Sequence, residues 1–411
     1  MLQKLKIWFD SVRYRRLRKD KWLRFCLLRQ AVESKGDPLL KVLLNKLGYS
    51  YQSDLLNIWF NYLSSQIGRP FSREVEQKLS LYLDDVLPSE LPGLAWLDLY
   101  RLLLGFGYFS AAQPLRAKAL MCFINDAMDE NATLLDMKQG LAALIDQGHW
   151  SKAEVLLARM KKNGLAPDRS AFATWLIGTL SGQLHNQVSP LHPSSTFFTK
   201  LIHGKRLALV GPASKEINSG AIIDAFDLVV KFNYKGGAKG CDPIIQGQRI
   251  DISYYNLEQS RFFAKQDYLP VFNSLAAIVF IKKKGGTFFK EKLEHMRSIV
   301  RLDWLLVDSE LNVGPNAMLD CIAAGANEVT IFNTDLMLTK GRDDGYRPAG
   351  APPINYLRSF VKTHDPVMQY QFFRHAWNAG LIKGDQRFCE VMEMGLENYI
   401  SELQLVHGAP S

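Results

Sequence analysis

The stretch that most constrains the fold runs from Arg206 to Asn233, RLALVGPASKEINSGAIIDAFDLVVKFN. Leu207, Ala208, Leu209 and Val210 form an apolar run without a polar break. A strand of a parallel sheet requires such a run, because helices cover both of its faces and no side chain reaches water. Gly211 ends the run, Pro212 to Gly220 form a loop of small residues, and Ala221 to Phe226 predict a brief helical turn before a second apolar run at Leu228 to Phe232. The reading is strand, tight loop, helix, strand. A loop at the carboxyl end of a parallel strand gathers backbone N–H groups and a helix N-terminus, a ready place for a phosphate. The dinucleotide fingerprint Gly-x-Gly-x-x-Gly is not met: only Gly211 and Gly220 are present, nine apart, and Pro212 has no N–H to donate. A nicotinamide enzyme is therefore not expected.

Further apolar runs extend the pattern. Ile250 to Tyr255, Ala276 to Ile281, Leu305 to Val307 and Val329 to Phe332 are strand candidates, and Phe289 to Val300 and Asn316 to Ala324 are helix candidates. Together they predict an α/β domain with a mostly parallel sheet over residues 196–411.

The chain before it has a different period. Apolar residues recur every three or four positions in Leu39 to Leu47, Leu55 to Leu63, Val75 to Leu87, Trp96 to Leu104, Ala117 to Met128 and Leu134 to Ile145, so residues 31–195 read as an all-α domain. Two units there resemble each other. In Leu103 to Ala112 and in Leu144 to Ala153 a glycine ends one helix, an aromatic follows and a small residue opens the next. Gly107 and Gly148 lie 41 residues apart, close to a helical-repeat period. Met160 to Asp168, MKKNGLAPD, resembles the helix-ending phrase of pentatricopeptide repeats. One such phrase does not make a nucleic-acid groove, and a scaffold or partner-binding role for these helices is the simpler reading. His185 to Pro193, with two prolines and no periodicity, is the linker candidate between the domains.

The net charge of +9 is concentrated at the start of the chain, where residues 1–30 carry ten Lys or Arg against Asp10 and Asp20. Leu2, Leu5, Trp8, Phe9 and Val12 recur at helical spacing, and Trp22, Phe25 and Cys26 continue the stripe. Two readings fit: a basic amphipathic helix on an anionic membrane surface, or a helix packed by its stripe with its basic face in water. No apolar run is long enough to span a bilayer, and charges interrupt every apolar segment of the N-terminus before a signal-peptide core forms. The five cysteines Cys26, Cys122, Cys241, Cys321 and Cys389 show no Cys-x-x-Cys and no histidine at ligand spacing. Reduced thiols in a cytoplasmic chain are expected, and a zinc site is not.

Three segments of the α/β half resemble the sialylmotifs of the animal-type sialyltransferases (glycosyltransferase family 29). In the first, Val210-Gly211 leads to Ser219-Gly220, Ile223-Asp224, Asp227, Val229 and Lys231-Phe232-Asn233, followed by Gly247-Gln248-Arg249 and Asn256. This is similar to the long motif. In the second, Asn312 to Leu319 turns at Gly314-Pro315 into a helix, and Asn327 to Asn333 follows as a strand. It resembles the short motif, with different turn residues and a register shifted by one. In the third, His364-Asp365-Pro366-Val367-Met368-Gln369 resembles the very short motif, His-x4-Glu, with Gln369 in place of the glutamate. The two cysteines that join the first two motifs in that family are absent, their positions falling near Leu207 and at Ala326.

The resemblance covers about 190 residues, roughly Arg206 to Phe388, and none of the helical half. It implies a Rossmann-like, GT-A-variant glycosyltransferase fold behind a helical-repeat domain, and transfer of an acidic 2-keto sugar, sialic acid or Kdo, from CMP to a glycan hydroxyl. By the same resemblance His364 is the general base, and Gly211, Ser219, Asn233, Asn256, Gly314 and Asn316 bind the nucleotide. Tyr346 is a candidate for the family's remaining aromatic position, with Tyr356 a second. No cofactor or metal is implied, and Asp343-Asp344 reads as a hydrated loop. Inversion or retention at the anomeric carbon stays open, and Asp224, Asp251 and Asp335 are the carboxylates available to a retaining route. The implied partners are a CMP-sugar, a glycan or glycolipid acceptor and an anionic membrane, without nucleic acid. The setting is lipopolysaccharide or capsule synthesis at the inner face of a bacterial inner membrane. The alternative is a helical-repeat RNA-binding or scaffold protein with a degenerate nucleotide-binding domain.

Overall fold

A computed structural model describes residues 20–33, 54–67, 72–185, 187–190, 192, 196–213, 218–236, 242–299, 302–340 and 356–408. The expectations for residues 1–19, Leu39 to Leu47, Cys241, Asp343-Asp344 and Tyr346 lie outside them. In chain order the helices of the first half are α1 (Lys21–Glu33), α2 (Asp54–Gln66), α3 (Arg73–Asp84), α4 (Gly93–Phe106), α5 (Phe109–Met128), α6 (Leu134–Asp146), α7 (Trp150–Lys162), α8 (Pro167–Leu180) and α9 (Phe197–Ile202). The strands are β1 (Arg206–Val210), β2 (Leu228–Phe232), β3 (Ile252–Tyr255), β4 (Ala277–Phe280), β5 (Met296–Ser298), β6 (Glu328–Phe332) and β7 (Lys383–Gly384). Among and after them come α10 (Gly220–Asp224), α11 (Pro243–Gln246), α12 (Leu257–Phe263), α13 (Leu269–Asn273), α14 (Lys283–Gly286), α15 (Val313–Ala323), α16 (Tyr356–Lys362), α17 (Pro366–Asn378), α18 (Gln386–Glu393) and α19 (Gly395–His407).

Two compact units result. The helical unit comprises the described residues up to Ala143 together with 356–365 and 400–408, and the α/β unit comprises the described residues of Leu144–Ile354 and Pro366–Tyr399. The chain therefore changes unit at Leu144, in α6, and not at the Pro-containing stretch 185–193. That stretch lies within the α/β unit, where Ser189 N–H donates to Ala323 O at 2.8 Å.

The glycine signals end helices as their sequence implied. Gly107 (φ 82) donates to Leu104 O and Tyr108 to Leu103 O, and Gly148 (φ 69) donates to Ile145 O and His149 to Leu144 O. Gly164 (φ 86) and Leu165 repeat the arrangement on Lys161 O and Met160 O, so the pentatricopeptide-like phrase is a helix end followed by Pro167 at the first position of α8. In each case the left-handed residue frees two N–H groups to satisfy the last carbonyls, a conformation that glycine adopts without a Cβ clash.

In the helical unit, buried charge is paired. Asp98 accepts from Arg24 Nε at 2.7 Å and from Arg101 at 3.2 Å. Asp365 takes Arg116 at 3.1 Å and the Tyr100 hydroxyl at 2.9 Å. Arg24 belongs to the basic start of the chain, yet it is 4% exposed, and Phe25 beside it is equally buried. Trp22 and Cys26 of the same segment are half-buried.

The α/β unit is organised by a seven-stranded sheet in the order β5-β4-β3-β2-β1-β6-β7, with every neighbouring pair parallel. Leu207 to Val210 are buried, which explains why β1 has no polar alternation: it is central, and both faces are covered. Ala208 and Val210 join Val229, Phe332, Ile223 and Phe226 on one face. Toward β4 the core becomes aromatic, with Tyr255, Phe263, Phe272, Phe280 and Phe289 in one cluster.

Two expectations are corrected. Phe289 to Val300 is not a helix: it holds turns and the edge strand β5, whose Met296 pairs with Ile278. Its helix-like spacing arises because Phe289, Leu293 and Met296 all pack on the aromatic cluster from successive turns. Leu305 to Val307 is not a strand, since Asp303–Leu305 is a single 3-10 turn. The two-residue β7 has no sequence signal, because its contact with β6 is its only strand character.

Candidate functional site

The strands β1 to β5 step outward in one direction, and β6 and β7 lie on the other side of β1. The order therefore reverses between β1 and β6. In an open parallel sheet the loops leaving the carboxyl ends on either side of such a point diverge and open a crevice. The residues that follow β1, β2, β3 and β6 all lie at this carboxyl edge of the sheet.

Gly211 N–H donates to Phe332 O at 2.8 Å and Ala213 N–H to Asn333 O at 3.1 Å, so the turns after β1 and β6 are joined by backbone. A Cβ on residue 211 would run into Thr334 Oγ1 and Asn333 O, which is why glycine stands there. Asn233 follows β2 in the left-handed region (φ 55), donates its N–H to Tyr254 O at 2.8 Å, and accepts the Asn256 N–H through Oδ1 at 3.1 Å. Asparagine tolerates that backbone better than other non-glycine residues. Asn256 in turn caps α12, with Oδ1 accepting from Gln259 N–H at 2.8 Å. The two asparagines implied to hold a nucleotide are thus in contact at the ends of adjacent strands.

Ser219 is buried immediately before α10, and Gly220 sits where a Cβ would strike the carbonyls of Pro243 and Ile244 in α11. The rest of the first motif is scaffold at the opposite edge. Asp224 accepts the N–H groups of Gln248 and Arg249, both at 2.9 Å, and Arg249 donates to the carbonyls of Asp224, Phe226 and Asp227 and to Asp251. Asp251 also accepts from Val229 N–H at 2.7 Å. The Ile-Asp and Gly-Gln-Arg signatures are therefore a mutual staple, which uses both oxygens of Asp224 and Oδ2 of Asp251.

Gly314 and Asn316 lie in the first turn of α15, whose cap residue Asn312 makes no side-chain capping bond. Because α15 leads into β6, its N-terminus is at the carboxyl edge of the sheet. A Cβ on Gly314 would meet only Phe373, at 3.8 Å. The Asn316 amide folds back on Leu311 O and Asn312 O at 2.9 and 3.0 Å. Gln369 of α17, 1% exposed, holds the approach to this helix: its Oε1 accepts Asn312 N–H at 2.8 Å and its Nε2 donates to Glu310 O at 2.9 Å. An amide does both, whereas an ionised carboxylate can only accept, so glutamine suits this position. Gln369→Glu is expected to destabilise the α/β unit by about 2–3 kcal/mol at neutral pH, because a buried carboxylate then faces a carbonyl. The deficit shrinks as the introduced carboxyl is protonated, and urea denaturation at neutral and mildly acidic pH measures both values.

His364 is half-buried just after α16, with its N–H on Ser359 O at 3.0 Å, and it belongs to the helical unit; the other described site residues belong to the α/β unit. Asn333 was missed from sequence. It follows β6 with φ 51, donates its N–H to Asp385 Oδ2 at 2.6 Å and its amide to Ile245 O at 3.3 Å. The sheet order supplies the signal: β2 and β6, on either side of β1, both end in Phe and are followed by Asn. Burial pushes the Asp385 carboxyl above its ordinary value, although Phe388 and Asn333 donate to it.

Beneath this edge, α15 carries a buried ionic cluster. Asp320 is gripped by both guanidinium nitrogens of Arg297 in β5 and accepts from the Tyr254 hydroxyl of β3 at 2.7 Å, with His192 Nε2 at 3.1 Å. Burial alone would raise the Asp320 carboxyl, but Arg297 and His192 outweigh it and hold it down at about 2. Burial also pushes the Cys321 thiol up to about 12, which makes it unreactive. Every oxygen of this cluster is engaged, so its role is structural. Among the described residues no group of three or more His, Cys, Asp or Glu converges as metal ligands, and no helix is long and apolar enough to cross a membrane. No protein-family model matches the chain, and no curated protein matches it at a significant level.

Proposed function

We propose that the chain is a CMP-sugar-dependent glycosyltransferase of the sialyltransferase-like kind, with a GT-A-variant fold in its α/β half. It moves sialic acid or Kdo to a glycan hydroxyl of a bacterial lipopolysaccharide or capsule, peripheral at the inner face of the inner membrane. The observation that carries this reading is the reversal of strand order at β1 and β6. Around that point the Gly211 turn, the Asn233–Asn256 pair and the N-terminus of α15 share one sheet edge. Backbone N–H groups and a helix dipole stabilise a departing phosphate without a metal. Asn233 and Asn256 hold the nucleotide, Gly211, Ser219, Gly314 and Asn316 shape the phosphate end, Tyr346 completes the donor contacts, and His364 takes the proton of the acceptor hydroxyl.

Calorimetry with CMP, CMP-sialic acid and CMP-Kdo, beside single-stranded RNA across a salt series, tests the reading. Binding of CMP and of one CMP-sugar, without RNA, is the expected result. Salt-dependent RNA binding in the absence of any CMP binding would replace the enzyme with the helical-repeat RNA-binding alternative.

A further inference from the structure

Of the three carboxylates singled out in the sequence, Asp224 and Asp251 hold the amino edge of the sheet together, Asp224 through both oxygens and Asp251 through Oδ2, whereas Asp335 lies at the carboxyl edge. It is 1% exposed. Its Oδ1 accepts Met337 N–H at 3.0 Å, and its Oδ2, equally buried, meets no donor among the described residues. Buried carboxylate oxygens are almost always paired, so a bare one at a functional edge calls for a reason.

The backbone around it is also unusual. Leu336 and Met337 both adopt the left-handed region (φ 51 and 75), a strained conformation for bulky side chains that concentrates at ligand-handling sites. Tyr399, stacked on Tyr370, holds the turn through a hydrogen bond to Leu336 O at 2.8 Å. On one side the preceding Thr334 abuts Gly211, and on the other Met337 Sδ takes the Asn312 cap amide at 3.7 Å. Asp335 therefore stands between the β1 turn and the start of α15, where the strand order reverses.

We propose that Asp335 is a sugar-binding residue whose open oxygen takes a hydrogen bond from a hydroxyl of the transferred sugar. This rests on the nucleotide-sugar reading. An ionised carboxylate only accepts, so its ligand is a donor. An oxygen that can only accept, such as that of a bare phosphate, does not fill this position, whereas a donor hydroxyl of the same nucleotide-sugar does. A sugar hydroxyl meets the requirement with a charge-assisted bond. The strained Leu336–Met337 turn is the part that gives way to admit it, since its relaxation releases strain in place of adding it.

The test uses the full chain with Asp335→Asn, which keeps the side-chain shape and the bond to Met337 N–H, and Asp335→Ala. Melting is followed without ligand, and binding of CMP and of CMP-sialic acid or CMP-Kdo is followed by calorimetry. The ligand-free Asn variant is expected to melt no lower than the parent. The Ala variant is expected to lose about tenfold or more in affinity for the CMP-sugar, as one charged hydrogen bond implies, with CMP affinity unchanged. A lower melting temperature for Asp335→Asn would overturn the proposal, because the fold itself would then be using that oxygen. An unchanged ratio of CMP-sugar to CMP affinity would overturn it too. A parent protein that binds no CMP counts against the nucleotide reading, and the melting comparison then still rules on Asp335.

Discussion

Asp320→Ala is expected to lower the stability of the α/β unit by about 3–5 kcal/mol, read as a fall in its urea midpoint. The carboxylate is the single anion of a cluster that ties α15 to β3 and β5. Without it the Arg297 guanidinium, its side chain 14% exposed and lying 4.1 Å from the Phe198 ring centroid, keeps its charge in a low-dielectric setting with no counter-ion. The Tyr254 hydroxyl loses its acceptor at the same time. Both penalties are uncompensated desolvation, the kind that makes breaking a buried pair expensive. The same carboxyl sets an acid limb. Its folded value of about 2 lies below the ordinary 3.8, so its contribution, about 2 kcal/mol, is fully present above about pH 4 and is lost as the pH falls toward 2. A pH series of midpoints should show that limb in the parent chain and not in Asp320→Ala.

The second large effect concerns chemistry. In the proposed transfer, His364→Ala removes the group that accepts the acceptor's proton, and turnover is expected to fall by about 10²–10⁴-fold. Imidazole suits the task because its ordinary value near 6.5 leaves it neutral and still basic at working pH. CMP affinity is expected to remain close to that of the parent, since the base touches the acceptor and not the nucleotide. The ascending limb of the parent pH–rate profile should disappear in the variant. Full turnover by the variant would move the base to another group and leave the nucleotide site standing.

How much of this was legible beforehand depends on the range of the interaction concerned. β1 and β2 were readable to the residue, because an uninterrupted apolar run between a glycine and a polar residue has few other uses in an α/β chain. The helix ends at Gly107, Gly148 and Gly164 were readable for a similar reason: a left-handed turn is decided by the residue that must adopt it. Phe289 to Val300 misled because packing on one aromatic cluster imitates a helical period, and β7 was invisible because two residues carry no pattern. At the site, Asn233 and Asn256 stood out by their spacing, while Asn333 needed the sheet order to show that its Phe-Asn flanks β1 from the other side.

The sequence by itself determined the local grammar of this protein: where β1 to β4 and β6 run, where glycines stop helices, and which half is helical. Those features depend on residues within a few positions of one another. Only the tertiary structure decided which acids are spent and which is available, because satisfaction of a buried oxygen depends on partners distant in the chain. Asp224 finds its donors 24 and 25 residues away and Asp320 a hydroxyl 66 away, while among the described residues Asp335 finds a donor for only one of its oxygens.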